Sequence, residues 1–456
     1  MRRIFGQHVA TSWVVFGVLE ASLVAAGCYA AYYFVFPRPG LFAVGLLPFA
    51  MLLSLGIVAF MHANGLYQAD AVIDFRRMLW RIVILTAPIF VLAVWTTGEL
   101  AKRTSIPIYP YRWQWTAMLT GAWLVCAVIL RLAYRQIYRR GLMTRRIVVV
   151  GTEDDAAQLN SLARNSNLRF QLVGRFDPDF RADATDSHVA LSRAVSSLRA
   201  SEIVITVGND PLLWKMLAHC KVSGIRVTDY LDFCEREDQR IYIESLREEW
   251  IALSRGFETT GWSERPRRAL DVLLSLAGFI ATAPVLLLTS LAIKLEDGGP
   301  VLYRQERVGL NGRPFTLFKF RSMRQDAESD GVPAWAGERD VRVTTVGAVI
   351  RKLRIDELPQ LSNVLRGEMA LIGPRPERPY FVRRFSEAIP FYDYRHAVRP
   401  GITGWAQVSF RYGASVEDAR RKLSYDLYYV KNRGILLDIV ILLKTVGVVL
   451  RGEGAR

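Results

Sequence analysis

Residues 269–293 read ALDVLLSLAGFIATAPVLLLTSLAI, and whether this stretch crosses a membrane or turns back inside it decides where everything downstream lies. It is apolar throughout and long enough to span, since a helix needs ~20 residues to cross a hydrocarbon core. Pro284 sits near its middle, where the missing N–H removes a helix hydrogen bond and bends the axis. Arg265, Arg267 and Arg268 flank one end and Lys294 the other, so the basic residues mark no outer side. A re-entrant helix over 269–293, bending at Pro284 and returning to the face it entered, satisfies both features. A simple crossing would put the downstream half outside the cell.

Upstream, apolar windows near 9–35, 41–61, 79–97 and 114–134 predict four transmembrane helices within residues 1–140. The first has no small-residue cleavage site and is followed by further spans, so it reads as an anchor and not as a removed signal peptide. Arg2 and Arg3, then Arg76, Arg77 and Arg81, then Arg135, Arg139, Arg140, Arg145 and Arg146 fall on one side, against Arg38, Lys102, Arg103 and Arg112 on the other. The excess places the N-terminus and all that follows the fourth helix in the cytoplasm. The chain is 51% hydrophobic yet carries a formal charge of +16, a pairing that suits a bilayer protein with basic cytoplasmic faces and argues against a nucleic-acid partner.

Between the two apolar regions, residues 145–262 change to soluble α/β character. RRIVVVG (145–151), SEIVITVG (201–208) and GIRVTDY (224–230) are three candidate strands, each ending in a turn or helix start, which predicts a small Rossmann-like parallel sheet with helices on its faces. A dinucleotide site needs Gly-x-Gly-x-x-Gly so that a pyrophosphate can approach the backbone. Here Gly151 is followed by Glu153, Asp154 and Asp155, whose charge repels phosphate, so the domain reads as structural or regulatory. Cys28, Cys126, Cys220 and Cys234 show no disulfide or zinc spacing, and the five histidines are scattered.

Downstream, residues 266–456 begin on the apolar stretch and end in GILLDIVILLKTVGVVL (434–450), which Asp438 and Lys444 interrupt and which reads as a helix lying at the interface. Between them stands RKLRIDELPQL (351–361), with Asp356 and Glu357 adjacent among Arg351, Lys352, Arg354, Arg366, Arg375 and Arg378. Positive neighbours keep a carboxylate ionised, and guanidinium forks match phosphate oxygens, so the block reads as a phosphoryl-transfer site. Arg375 lies between Pro374 and Pro376, whose fixed torsions hold its guanidinium in place. Glu377 and Asp426 are weaker candidates, because an acid beside arginine is as often a salt-bridge partner. Trp405, Tyr425, Tyr428 and Tyr429 read as core or membrane-interface anchors and not as a sugar platform.

VLYRQERVGLNGRPFTLFKFRSM (301–323), DVRVTTVGAVIRKLRIDELPQLSNVLRGEMALIGPRPERP (340–379), VRPGITGWAQVSFRYG (398–413) and KLSYDLYYVKN (422–432) resemble the bacterial sugar transferase family, the monotopic phosphoglycosyl transferases. The resemblance implies transfer of a hexose-1-phosphate from a UDP-sugar to polyprenyl (undecaprenyl) phosphate, with UMP released, at the start of exopolysaccharide, capsule or O-antigen synthesis. By position it makes Asp356 the nucleophile and, with its oxygen ligands, a binder of Mg2+. Glu357 becomes its dyad partner, and Lys319, Arg321 and Arg351 become residues at the phosphates. Family members commonly break the re-entrant helix at Ser-Pro, where this chain has Ala283-Pro284 and only Thr282 nearby to satisfy the freed carbonyl.

The whole predicts a membrane α plus α/β protein of the bacterial inner membrane, with a four-helix transmembrane bundle, the Rossmann-like domain, and a mainly α catalytic domain on the re-entrant helix. A homodimer through the helices or the α/β domain is the expected assembly, and UDP-glucose or UDP-galactose the expected donor. Two other readings stand beside this one: a non-catalytic scaffold of polysaccharide assembly, and a membrane-anchored nucleotide-sugar dehydratase, which would need the glycine fingerprint.

Overall fold

The computed structural model describes residues 2–4, 7–9, 11–35, 51, 54–58, 61, 75–103, 112–139, 144–165, 170–177, 187–206, 211–258, 261–324, 342–410 and 415–450. The chain divides into two compact units, one running to Phe233 and the other from Cys234, apart from an exchange of a few N-terminal residues.

The first unit opens with three long helices, α1 (Thr11–Val35), α2 (Phe75–Arg103) and α3 (Arg112–Arg139). These cover three of the four expected spans. The 41–61 window lies largely outside the described residues. Within α3, Thr116–Ile137 is long and apolar enough to cross a membrane. Arg131 of α3 donates to Glu20 of α1 through both terminal nitrogens, at 2.8 and 3.3 Å, and both side chains are buried. Pairing lets two charges sit among apolar helices that would exclude either alone.

A four-stranded parallel sheet follows, built from β1 (Arg145–Val150), α4 (Glu153–Asn165), β2 (Phe170–Phe176), α5 (Ser187–Ser197), β3 (Glu202–Ile205), α6 (Pro211–Val222) and β4 (Arg226–Asp229). Its strand order is β2-β1-β3-β4. Val148, Val150, Ile203 and Ile205 pack with Leu191, Val195, Met216 and Leu217 on one face, so the alternate residues Ile147 and Val149, also fully buried, face the other. The three strands read from sequence are present. The fourth, β2, escaped because its burial is mixed, with Gly174 and Arg175 interrupting its apolar run.

The second unit begins within α7 (Tyr230–Asp238), continues through α8 (Glu248–Leu253), and is organised on α9 (Gly261–Asp297), which stays helical through Pro284. Then come the hairpin β5 (Leu302–Val308) and β6 (Pro314–Phe320), α10 (Thr345–Lys352), a 3-10 turn (Ile355–Gln360), α11 (Leu361–Arg366), β7 (Ala370–Ile372), α12 (Pro379–Ala388), β8 (Gly401–Thr403), α13 (Trp405–Ser409), α14 (Val416–Asn432) and α15 (Ile435–Leu450). Strands β7 and β8 pair in parallel.

Both ends of α9 are fastened to this unit. Near its start, Arg268 donates to the carbonyls of Val364 and Leu365 at 2.5 and 2.8 Å, satisfying the open end of α11. Three residues on, Asp271 accepts from the amide of Leu371. Near its end, Ile293 packs with Phe320 and Ile350, Glu296 accepts from the amide of Val346, and Asp297 pairs with Arg321. Between these anchors Leu273, Leu276, Ile280, Leu287, Leu288 and Leu291 are exposed. Glu264–Asp297 is thus long and apolar enough to enter a bilayer, yet its two ends meet one compact unit. Thr282 does not supply the expected repair at Pro284: its hydroxyl bonds Gly278, two residues before the carbonyl of Ile280 that the proline leaves free.

Segment 234–258 is wired into the same unit. Glu235 accepts from Lys431 and Asn432, Trp405 donates to the carbonyl of Gln239, and Gly256, at φ +116, admits the carbonyl of Lys431 where a Cβ would lie 2.2 Å from it. Trp405, Tyr428 and Tyr429 are core residues.

Candidate active site

The acidic pair stands on the 3-10 turn after α10. Helix α10 stops at Leu353, and Arg354 adopts φ 59, ψ 17, a left-handed conformation that costs a non-glycine residue on the order of 1 kcal/mol. This reversal starts the 3-10 turn and delivers Asp356 and Glu357 together. Strand β6 supplies the first cation. Leu317 buries against Val364 and Met369, and two residues along the same face Lys319 reaches Glu357 at 3.4 Å. Asn363, fully buried, fixes this strand to α11: its side chain accepts from the amide of Phe318 and donates to the carbonyl of Thr316. Arg375 supplies the second cation, 2.8 Å from Glu357 Oε1, and Arg354 a third at 3.6 Å. The Pro374–Pro376 backbone is held from two sides, by Gly401 N–H to the carbonyl of Pro374 and by Arg395 to that of Arg375.

The two carboxylates are therefore unequal. Burial works to raise Glu357, but Arg375, Lys319 and Arg354 outweigh it and hold the group far below the usual carboxylate range. Asp356 is 9% exposed and, among the described residues, has no hydrogen bond or ion pair of its own. Burial, then the charge of Glu357, pushes it above its ordinary value, against the pull of Lys319, Arg375 and Arg354. The cations thus converge on one of the two acids, Glu357.

The other expected residues fall elsewhere. Arg321 pairs with Asp297 at the end of α9, leaving one buried guanidinium nitrogen without a partner. Arg351 lies on α10, and the guanidinium that meets Glu357 from this segment is that of Arg354. Glu377 is bound by Lys422 at 2.5 Å and by Arg307 at 3.8 Å. Asp426 receives two bonds from Arg395, at 2.8 and 3.2 Å, and that pair supports Arg375 from behind. Lys422 and Arg395 were not singled out from the sequence, and Arg354 was read there only as one of six flanking cations. The signal for Arg354 was its place one turn before Glu357; Lys422 and Arg395 join through tertiary contacts that carry no local pattern.

Among the described residues no three His, Cys, Asp or Glu side chains converge as a metal site. Magnesium commonly uses one or two carboxylates together with substrate phosphates, and the unpaired carboxylate of Asp356 fits that mode.

In the first unit, the corresponding end of the sheet is closed. Asp155 accepts from the amide and hydroxyl of Thr152 at 2.9 Å each and from the hydroxyl of Thr206 at 2.6 Å, capping its own helix. A Cβ on Gly151 would lie 2.0 Å from Thr206 Oγ1, so the space a pyrophosphate would take is already filled.

Residues 262–452 match the family model described as Bacterial sugar transferase. The chain is 43% identical over 265 residues to the UDP-N-acetylgalactosamine-undecaprenyl-phosphate N-acetylgalactosaminephosphotransferase of Aeromonas hydrophila, covering 58% of this chain and 62% of that protein. It is 32% identical over 375 residues to the undecaprenyl-phosphate glucose phosphotransferase of Komagataeibacter xylinus, covering 76% and 69%. To the UDP-glucose:undecaprenyl-phosphate glucose-1-phosphate transferase of Escherichia coli (strain K12) it is 30% identical over 344 residues, covering 73% of each. An arginine-clamped acidic pair on a unit anchored by an apolar helix thus occurs in a chain that belongs to the bacterial sugar transferase family, and the protein is a transferase.

Proposed function

We propose that the protein transfers a sugar-1-phosphate from a UDP-sugar to undecaprenyl phosphate through a covalent intermediate on Asp356. A carboxylate oxygen of Asp356 attacks the phosphorus bonded to the sugar, the bridging P–O bond breaks, and UMP leaves with the electron pair. A phosphate oxygen of the polyprenyl phosphate then attacks the same phosphorus, and Asp356 departs as the free carboxylate. Splitting one transfer into two displacements is the use to which an aspartyl phosphate lends itself.

The observation that carries this reading is the inequality of the pair. Glu357 gathers Lys319, Arg354 and Arg375 where a diphosphate would lie, and Asp356 beside it keeps unpaired oxygens. Mg2+ held with Asp356 and the donor phosphates would supply further neutralisation of the diphosphate. The docking of both ends of α9 on one unit supports a re-entrant helix in the cytoplasmic leaflet, four transmembrane helices before it, and a site on the cytoplasmic side, where a soluble donor meets a lipid acceptor. The assembly proposed is a homodimer.

The relatives' names divide between N-acetylgalactosamine and glucose, so the donor sugar is decided by a panel of UDP-hexoses and UDP-N-acetylhexosamines. The mechanism is decided by incubating the protein with donor alone. A hydroxylamine-sensitive sugar-phosphate adduct on the Asp356 peptide is expected, and its absence under conditions where UMP is released sinks the covalent scheme.

A further inference from the structure

A cleft lies between the start of α9 and the start of α15, lined by none of the residues that surround Glu357. Its outer wall is apolar: Leu270, Leu274, Ile435 and Ile439 are exposed there, continuous with the uncovered faces of the two helices. Its floor is charged, with Arg267, Arg268, Arg399 and Arg433 against Glu264, Asp271 and Asp438. The arginines have unequal commitments. Arg268 is taken up by two helix carbonyls, and Arg267 lies 3.4 Å from Asp438. Arg399 bonds the carbonyl of Gly367 and stands 3.7 Å from Glu264. Arg433 has a side chain only 9% exposed, and its Nη2 lies 2.9 Å from Glu264 Oε1, yet the two atoms are misaligned and neither completes a hydrogen bond. Buried charged donors without an acceptor are expensive, and here one faces a cleft.

We propose that this cleft binds the phosphodiester headgroup of an anionic membrane phospholipid, with Arg433 and Arg399 as its ligands and the chains lying along Leu274 and Ile439. The four guanidiniums exceed the three carboxylates by one charge, which one phosphodiester neutralises. A phosphomonoester, the headgroup of a polyprenyl phosphate, brings close to two negative charges at neutral pH and would overcharge the floor. The site would fix the depth and rotation of α9 in the leaflet. It rests on the membrane reading of α9 and α15, and not on the transfer reaction.

The test uses the full-length protein in nanodiscs containing phosphatidylcholine and either phosphatidylglycerol or phosphatidylcholine carrying a diazirine close to the headgroup, with adducts mapped by mass spectrometry. Phosphatidylglycerol is expected to label peptides 264–274 and 433–442 selectively. Arg433→Gln should reduce that labelling about tenfold, the loss of one charge-assisted bond, and Ile439→Trp, which fills the mouth without touching charge, should reduce it by steric exclusion. Labelling along 276–291 by a phosphatidylcholine with its diazirine in mid-chain should stay unchanged, which shows that the variants fold and remain in lipid. Equal labelling by both lipids, or displacement of the probe by undecaprenyl phosphate at stoichiometric amounts, overturns the proposal. Absence of label along 276–291 in the wild type overturns it through the membrane reading instead.

Discussion

Two aspartates at turns between secondary elements, Asp155 and Asp356, have opposite fates. Asp155 accepts three hydrogen bonds from Thr152 and Thr206 and is absorbed in capping α4. Asp356 is the more buried of the two and has no such partner among the described residues, while its neighbour Glu357 collects the cations. Acidic residues in a turn carry no chemistry by themselves; what matters is which carboxylate the surrounding donors leave unsatisfied. A group left so in a low-dielectric setting is destabilised as it stands and gains most from a new bond to phosphorus.

The strongest attack on that comparison is to remove the nucleophile. Asp356→Asn keeps shape and removes the charge, and UMP release should fall on the order of 10³-fold or more, as expected when a covalent route closes. Glu357→Gln should also reduce the rate, by releasing Lys319, Arg354 and Arg375 from their common anchor, but it should still yield the donor-dependent adduct. Wild-type turnover in the Asp356→Asn variant would show that the inequality of the pair has no mechanistic meaning.

Asp426 tests whether support behind the site matters as much. It is 1% exposed and accepts from Nε and Nη2 of Arg395; the same Nη2 also donates to the carbonyl of Arg375. Asp426→Asn strands a buried guanidinium, which typically costs about 3–5 kcal/mol, so the unfolding midpoint of the second unit should drop sharply in detergent. Unchanged thermal stability would recast Asp426 as a group that meets substrate.

A smaller effect is read through pH. Burial alone would raise Glu377, but Lys422, Arg395 and Arg307 bring it down to about 2. Because the folded value lies below the unfolded one, the group stabilises the protein above about pH 4.5 and loses that contribution as pH falls toward 2. The full contribution is at most about 3 kcal/mol. Glu377→Gln should therefore be less stable than wild type at pH 6, with the gap narrowing through that acid window. A gap of constant size would mean the Lys422 contact contributes no charge-dependent stability.

How far these features could be read without coordinates depended on whether their causes are local. The β-branched runs at 147–150 and 203–205 announce strands because both sheet faces bury them, and the acidic pair announces itself by adjacency. Strand β2 did not, since Gly174 and Arg175 break its apolar run. Arg351 and Arg354 stand five and two residues before Asp356, and periodicity could not choose between them; the left-handed turn at Arg354 did. The ion pair Glu20–Arg131 joins residues 111 positions apart and leaves no trace in either helix's own pattern.

The smallest expected effect comes from the other side of the comparison. If Asp155 serves only as a cap, Asp155→Ala should destabilise the α/β unit by about 1–2 kcal/mol and leave UMP release untouched. The cap's geometry sharpens this: Thr206 bonds the same carboxylate oxygen as Thr152, so Thr206→Val should recover much of the same loss, and the double variant should cost less than the two singles added. Asp155→Ala also frees the space its Oδ2 takes above Gly151, 2.8 Å from where a Cβ would lie. A nucleotide that bound the double variant and not the wild type would mean that Asp155 guards a phosphate site, and the contrast with Asp356 would then be one of degree, set by which aspartate the fold happens to have covered.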